Sequence, residues 1–340
     1  MYAGKFTQAD ITEHGSLNKN LRWATFILVL AAWACADAPT PTKDATVSPS
    51  PPTNTATSPS PTDAPHPTAT LEASPTPIRN LRLAVIGDYG LAGEPLELVA
   101  SLVDSWKVDL IVTVGDNNYP DGEAATMDRN VGQYFHDYIA PYTGAYGAGS
   151  DSNRFFPALG NHDWNTRDLQ PHYDYFQLPG NERYYDVRWE FVHIFVVDSD
   201  SREPDGIGRS SVQAAWLQEQ LAASGAPWKL VFMHHAPYSS ATHGSYAPIQ
   251  WPYQEWGATA VLSGHDHTYE RIMRNGFPYF VNGLGGSPNR YHFILPINGS
   301  QVRYRDLHGA MLIEATPDTI TFQFINVEGQ VIDSYMIETP

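Results

Sequence analysis

The chain has 340 residues, a formal net charge of −17 at pH 7 and 27 prolines. The length allows one or two domains, and the charge excludes a nucleic-acid binder, because such a protein needs a basic face that neutralises phosphates. Only Lys107 and Lys229 supply lysines after residue 79, so the sequence predicts no basic face. This acidic balance would repel anionic substrates unless a local positive site, such as a metal cluster, overrides it.

The first 35 residues have the pattern of an export segment. Lys19 and Arg22 precede an apolar run of 12 residues at 23–34, which is short for a membrane span but typical of a signal-peptide core. The run ends at Cys35, the single cysteine of the chain, so no internal disulfide is expected. A lone cysteine before a spacer resembles the lipid-attachment site of bacterial lipoproteins. The alternative is an ordinary signal or anchor helix that contains a cysteine. We therefore expect an exported protein that is either anchored on the outer face of the cell through Cys35 or secreted.

Residues 36–78 are predicted to form a disordered linker. Their central part, 38–77, is rich in proline, threonine and serine and has almost no aliphatic or aromatic side chain. Such a segment cannot bury enough apolar surface to offset the entropy that ordering would cost. The folded part is then 79–340, a length that is compatible with one large α/β domain.

Apolar runs and helical periodicities alternate along this domain, which predicts buried strands separated by amphipathic helices. Ser210 or Ser211 is the expected N-cap of the third helix. The predicted strands are 81–88, 109–116, 154–163, 228–235 and 259–267, with two more in 184–200 and antiparallel strands over 309–338, and the predicted helices are 94–106, 127–139 and 210–224.

Five of the strands end in polar residues. Sites in open α/β sheets lie at the carboxyl ends of strands, so these five ends are expected to converge. Their carboxylates, amides and imidazoles suit a two-metal hydrolytic centre. Each run alone could be a chance turn or a surface pair, but all five together are hard to obtain by chance. The runs are Gly87-Asp88-Tyr89-Gly90, Gly115 to Tyr119, Gly160 to Asp163, Val231 to His234 and Gly264 to His267.

In this order the five runs resemble the motifs of the calcineurin-like metallophosphoesterase superfamily, over about residues 80–335, and within it the purple acid phosphatases. Common members carry Asp-x-His in the first motif, whereas this chain has Asp88-Tyr89-Gly90. The purple acid phosphatases also lack that histidine and replace it by the tyrosine of Gly-Asp-x-x-Tyr, here Tyr119. Large plant members carry an additional N-terminal β domain, so this chain resembles the compact single-domain form.

The resemblance implies an α/β fold, a four-layer α/β/β/α sandwich of two mixed sheets, with a dinuclear metal site at its loop edge. It implies Fe(III) at metal site 1, to which a hard phenolate is suited, and divalent Fe, Zn or Mn at metal site 2. Tyr89 is expected to point away from the site, because neighbouring residues at a strand end face opposite sides. Site 1 would take Asp88, Tyr119, His267 and a bridging Asp116, and site 2 would take Asp116, Asn161, His234 and His265.

The implied activity is that of an exported phosphatase that hydrolyses phosphate monoesters by attack of a metal-bound hydroxide. His162 and His243 are the implied catalytic residues, since a histidine can act as a general acid near neutral pH. His235 is expected to point away from the site. Asp163 and Asp266 are expected to hold neighbouring histidines. A solvated loop histidine is the alternative for His243.

Two other functions remain open at this stage. One is a phosphodiesterase or nucleotide hydrolase of the same superfamily. The other is a surface binding protein that keeps the fold without catalysis, against which the retention of all seven ligand residues argues. The expected partner is a small phosphate-ester substrate, with no nucleic acid, and with a membrane only through the N-terminal anchor. Trp251, Tyr253 and Trp256 are interpreted as packing residues, and Tyr269-Glu270-Arg271 as structural.

Overall fold

The structure, a computed structural model, describes residues 80–339, so the predicted export segment and linker lie outside the described residues. Between residues 80 and 339, no helix combines the length and the apolar character that crossing a membrane requires. The strands are β1 Leu81–Ile86, β2 Leu110–Thr113, β3 Phe155–Pro157, β4 Tyr185–Trp189, β5 Val192–Val196, β6 Trp228–Phe232, β7 Ala260–Ser263, β8 Tyr269–Arg274, β9 Phe277–Asn282, β10 Ser300–Tyr304, β11 Gly309–Ala315, β12 Thr319–Asn326 and β13 Val331–Glu338. The helices are α1 Glu94–Trp106, α2 Ala124–Met127, α3 Gln133–Phe135, α4 Gln170–Tyr175 and α5 Val212–Ala223.

The strands form two mixed sheets. The first has six strands in the order β13-β12-β11-β1-β2-β3, and the second has seven in the order β10-β8-β9-β7-β6-β5-β4. Strands β1, β2 and β3 run parallel to one another, while β11, β12 and β13 join them in antiparallel fashion. In the second sheet β5, β6, β7 and β9 are parallel, while β4 pairs with β5, β8 with β9 and β10 with β8 in antiparallel fashion. The predicted pair of mixed sheets is therefore confirmed.

Strand alternation decides which side chains lie between the sheets. In β6, Leu230 and Phe232 enter the core that the first sheet shares, whereas Val231 packs with Leu217 of α5 on the other face. This follows because successive side chains of a strand point to opposite faces. Helix α1 buries Val99 against the first sheet. The layers therefore follow the order helix, sheet, sheet, helix.

The two long helices begin where local chemistry predicts. Helix α1 covers the predicted residues and carries a proline in its first turn, where the missing N–H costs no hydrogen bond. Helix α5 is capped by Ser211, whose hydroxyl accepts a hydrogen bond from the Ala214 N–H at 3.1 Å. Trp251, Tyr253 and Trp256 pack in the cluster on the α5 side of the second sheet, as expected.

The helix predicted over 127–139 is interrupted. Residues Asp128–Gly132 form a π-helical turn between α2 and α3, and His136–Tyr138 form a 3₁₀ turn. The Asp128 carboxylate accepts hydrogen bonds from the hydroxyls of Tyr142 at 2.6 Å and Tyr175 at 2.8 Å. These partners come from outside the segment, so tertiary contacts override the regular periodicity here.

Candidate metal centre

The carboxyl ends of strands from both sheets meet at one edge of the molecule. The loops are joined through their backbones, since the Asp88 N–H donates to the Gly115 carbonyl at 3.1 Å and the Gly264 N–H donates to the His234 carbonyl at 2.9 Å. The first sheet supplies the loops that carry Asp88, Asp116, Tyr119 and Asn161, and the second supplies those that carry His234, His265 and His267.

Three of these residues have a strained backbone. Asp88 and Asp116 both have φ of 54°, and His265 has φ of 69°. A positive φ is uncommon for residues other than glycine, and such strain is concentrated at functional sites. Glycines allow the close packing around them: a Cβ on Gly115 would lie 2.6 Å from Nδ1 of His234. The backbone is thus shaped to bring polar side chains together.

One group of donor atoms surrounds the Tyr119 hydroxyl. It donates to Oδ2 of Asp116 at 2.9 Å and lies 3.5 Å from Oδ1 of Asp88 and 3.3 Å from Nε2 of His267. The last two atoms are 3.3 Å apart. These four residues are those expected to hold metal 1.

A second group surrounds Nε2 of His234. This atom lies 3.0 Å from Oδ1 of Asn161, 3.2 Å from Nδ1 of His265 and 3.4 Å from Oδ1 of Asp116. These four residues are those expected to hold metal 2. Asp116 belongs to both groups, with Oδ2 toward Tyr119 and Oδ1 toward His234, an arrangement that suits a bridging carboxylate.

The donor set fits metal ions. Ligand atoms bound at about 2.0–2.2 Å with right angles between bonds are spaced by roughly 3 Å, close to the separations within each group. The Nδ1 atoms of His234 and His267 contact the carbonyls of Val114, at 2.8 Å, and Asn289. These contacts favour the tautomer with the proton on Nδ1, which leaves the Nε2 lone pair available to a metal ion. Asp88, Asp116 and His234 are buried and can offer ligand atoms within 4.8 Å of one another.

The electrostatics are those of a cation site. Burial, and then the charges of Asp88 and Asp116, raise the pKa of the Tyr119 phenol well above its ordinary value. Burial acts to lower the pKa of His234 and of His267, but the two carboxylates outweigh it and both pKa values are raised. The two carboxylates therefore favour a bound cation or a protonated histidine beside them, because a buried anion without a partner is costly.

Both predicted catalytic histidines lie at this edge. The His162 N–H donates to Oδ1 of Asp116 at 3.0 Å, its Nδ1 contacts the Pro120 carbonyl, and its Nε2 lies 3.9 Å from Oδ2 of Asp116. The His243 ring packs on that of His265 with centroids 4.1 Å apart. His162 is thus beside the first donor group, and His243 beside the second.

Tyr89 is turned away from the site, as expected. Its side chain is fully buried, its hydroxyl donates to Oδ1 of Asn117 at 3.1 Å and its ring packs on Phe135 with centroids 5.7 Å apart. Tyr119 is therefore the one tyrosine of these two that reaches the candidate ligands.

His235 does not point away as expected. Its ring lies 4.4 Å from that of His265, and its Nδ1 lies 3.0 Å from Oγ of Ser199. The strand ends at Phe232, so the alternation of a strand no longer applies at residue 235. Ser199 also accepts the His235 N–H at 2.8 Å, and so positions the whole residue.

The expected roles of Asp163 and Asp266 are wrong, since neither carboxylate holds a histidine ring. Asp163 accepts N–H groups of Asn117 and Gly160, and burial, followed by the charge of Asp116, raises its pKa to about 7. Asp266 accepts the backbone N–H of His243 at 2.8 Å. Both carboxylates fix loop backbones rather than ligand rings.

Arg202 was not foreseen. Its guanidinium pairs with Asp200 and donates to the carbonyls of Asn161 and Trp164, both at 2.9 Å. It therefore holds the loop that carries Asn161 and His162. The polar run 198–202 follows the strand β5, so the rule applied to the other five strand ends would have identified this sixth one.

Comparison with known proteins gives the family. The calcineurin-like phosphoesterase model matches residues 81–269, more than half of the chain. Tartrate-resistant acid phosphatase type 5 of Sus scrofa is 25% identical over 307 residues, covering 76% of this chain and 86% of that protein. Purple acid phosphatase 17 of Arabidopsis thaliana is 27% identical over 293 residues, covering 74% and 82%.

Solved structures share the fold. Purple acid phosphatase PPD1 from yellow lupin seeds superposes with a TM-score of 0.62 at 19% identity, and the match covers 77% of this chain and 54% of the lupin protein. GAP50, described as the anchor in the inner membrane complex of Plasmodium, has a TM-score of 0.55 at 17% identity, covering 77% of this chain and 89% of GAP50. The chain spans about half the length of the lupin protein, and the fold alone does not define an activity.

The chain belongs to the calcineurin-like phosphoesterase family. It is a metal-dependent phosphoester hydrolase similar to the purple acid phosphatases, and the family implies a dinuclear metal site and phosphate-ester substrates.

Proposed function

We propose that this protein is an exported acid phosphatase that hydrolyses phosphate monoesters at a dinuclear centre. The observation that carries the proposal is Asp116, whose two carboxylate oxygens face two separate groups of donors. Fe(III) is assigned to the group with Tyr119, since a phenolate is a hard anionic ligand, and divalent Fe, Zn or Mn to the group with Asn161. Asp88, Asp116, Tyr119 and His267 would hold the first ion, and Asp116, Asn161, His234 and His265 the second.

When bound, the two metal ions would neutralise phosphate charge and lower the pKa of a water molecule. The protein's own part is to place the groups around the ester. His162 is anchored through its N–H and Nδ1, which leaves Nε2 free to give a proton to the departing alkoxide. His243, held by Asp266 through its backbone and packed on the ring of His265, would contact the phosphate beside the second donor group.

Parallel assays of a simple monoester and a simple diester, with metals quantified in the same sample, test the proposal. We expect two metal ions per chain and faster turnover of the monoester. Preference for the diester would identify the alternative, a phosphodiesterase. Absence of bound metal and of turnover would favour a binding protein with this fold.

The proton-donor role of His162 is tested in the same assay. His162→Ala should keep both metals and lower the rate by about 10²–10⁴, the usual contribution of general acid catalysis. The loss should shrink for esters of acidic alcohols, whose leaving groups need no proton. An equal loss for acidic and ordinary alcohols would mean that His162 positions the substrate instead.

A further inference from the structure

A cleft of about 440 Å³ opens beside the candidate metal ligands Tyr119 and His267. This volume lies in the range of about 300–1,000 Å³ that small-molecule sites occupy. His162 also lines the cleft, and its ring lies 4.5 Å from that of Tyr119. Because His162 is the proposed proton donor to the departing alcohol, the cleft lies on the side of the leaving group.

The outer wall of the cleft is apolar. It includes Leu91, Pro120, Pro288 and Tyr291. Leu91 is 39% exposed, so part of its apolar surface is available to a ligand. Tyr291 is held against the loop that carries His267. Its ring stacks on that of His267 with centroids 4.2 Å apart and planes 9° apart, and its N–H donates to the His267 carbonyl at 3.1 Å.

Beyond the metal centre and its histidines, the described lining of the cleft offers no cationic side chain to a second phosphate. Among the described residues that line it, none is a lysine, arginine, aspartate or glutamate. Arg290, next to the lining residue Asn289, directs its guanidinium to the Asp306 carbonyl. A second phosphate against the apolar wall would lose hydration without gaining a lysine or arginine partner, which is costly, whereas an apolar group would gain from burial.

We propose that this cleft binds the leaving group and makes the enzyme selective for monoesters of uncharged, apolar alcohols over nucleoside diphosphates and other polyphosphates. The inference rests on the proposed phosphatase function.

Two other cavities of the described chain lie elsewhere, one beside Tyr184 and Trp216 and one beside Tyr173 and Glu182, and neither includes a candidate metal ligand.

The test is a series of ethyl, butyl and hexyl phosphates, whose alcohols differ in apolar surface but belong to one chemical class. We expect kcat/KM to rise by about fourfold for each methylene that enters the cleft, given the usual gain from burial. Leu91→Ser should flatten this rise. Leu98→Ser is the matched control, because Leu98 is 45% exposed on α1 and does not line the cleft, and it should leave the rise as in the wild type.

The outcomes separate the two claims. Hydrolysis of ethyl phosphate without a rise along the series, or faster turnover of a nucleoside diphosphate than of hexyl phosphate, would overturn the cleft inference alone. Absence of hydrolysis of every ester would overturn the proposed function. In that case calorimetric binding of the matching alkylphosphonates still tests the cleft: affinity that grows with chain length and depends on Leu91 supports it, and constant affinity contradicts it.

Discussion

Among single residues, Tyr119 distinguishes this centre from one built on carboxylate and imidazole alone. Its hydroxyl lies within 3.5 Å of three other candidate ligands and is buried with them. A phenol between two carboxylates ionises only when a cation compensates the charge. With a ferric ion bound, the phenolate would transfer charge to the metal and absorb visible light.

We therefore predict that Tyr119→Phe removes the visible absorption of the iron-loaded protein and weakens iron binding by more than about tenfold, since even the partners of metal ligands contribute that much. Tyr89→Phe is the control: it removes a hydroxyl that bonds to Asn117 and should leave the colour. A visible spectrum with iron quantified in the same sample decides. A colourless wild type with a full complement of iron would refute the tyrosinate assignment.

Among the elements, α4 contains a buried group that the proposed chemistry does not use. His172 is 2% exposed, both ring nitrogens lack a hydrogen-bond partner, and its ring packs on that of Phe176 with centroids 4.9 Å apart. Burial lowers the pKa of His172 to about 3. Its ordinary value is about 6.5, so the unfolded chain binds a proton in a pH range where the folded chain does not.

The sign of the effect follows from this difference. Between about pH 6.5 and pH 3 the unfolded state holds more protons, so the free energy of unfolding falls as the pH falls, by about 2 kcal/mol at pH 5. His172→Leu should reduce the loss between pH 7.5 and pH 5, measured by denaturant unfolding at both pH values. His292→Gln, which changes an exposed histidine, should lose as much as the wild type. An unchanged loss in His172→Leu would exclude His172 as its source.

Elements with a clear local pattern could be predicted, whereas those set by distant contacts could not. Helices α1 and α5 and the antiparallel strands β11 to β13 lie where periodicity and turn residues place them. Strand β9 was not predicted. It pairs with β7 on one side and β8 on the other, although Pro278 within it argues against a central strand. Short α4 has too few residues to show a period.

The residues of the candidate site divide in the same way, into those that a local pattern predicts and those that distant contacts determine. Polar strand ends identified the residues that the structure brings together, because the carboxyl ends of parallel strands share an edge. The roles of Arg202 and of Asp163 depend on contacts between loops that lie about 40 residues apart in the chain, and no local pattern encodes such pairs. The position of His235 depends on where β6 ends, which is the least certain feature of a predicted strand.

For the molecule as a whole, the proposed export segment leads to a prediction about membrane attachment. If a lipid is attached to Cys35, the native protein should partition into detergent with membranes. The Cys35→Ser variant should then be released from the membrane or remain unprocessed. Partition during detergent phase separation and the mass of the mature chain measure this. Equal behaviour of the two forms would exclude lipid attachment. Phosphatase activity of the two purified forms should be the same and serves as the control for folding.

The division of ligands between the sheets has a mechanical consequence. The candidates that would bind through oxygen, Asp88, Asp116, Tyr119 and Asn161, follow strands of the first sheet, and the imidazoles of His234, His265 and His267 follow strands of the second. Bound ions would therefore fasten one sheet to the other at their open edge, and ions that bind only the folded chain add to its stability in proportion to the logarithm of their concentration. Removal of the ions by a chelator would then weaken the link between the two sheets, and they would begin to separate at the edge where substrates enter.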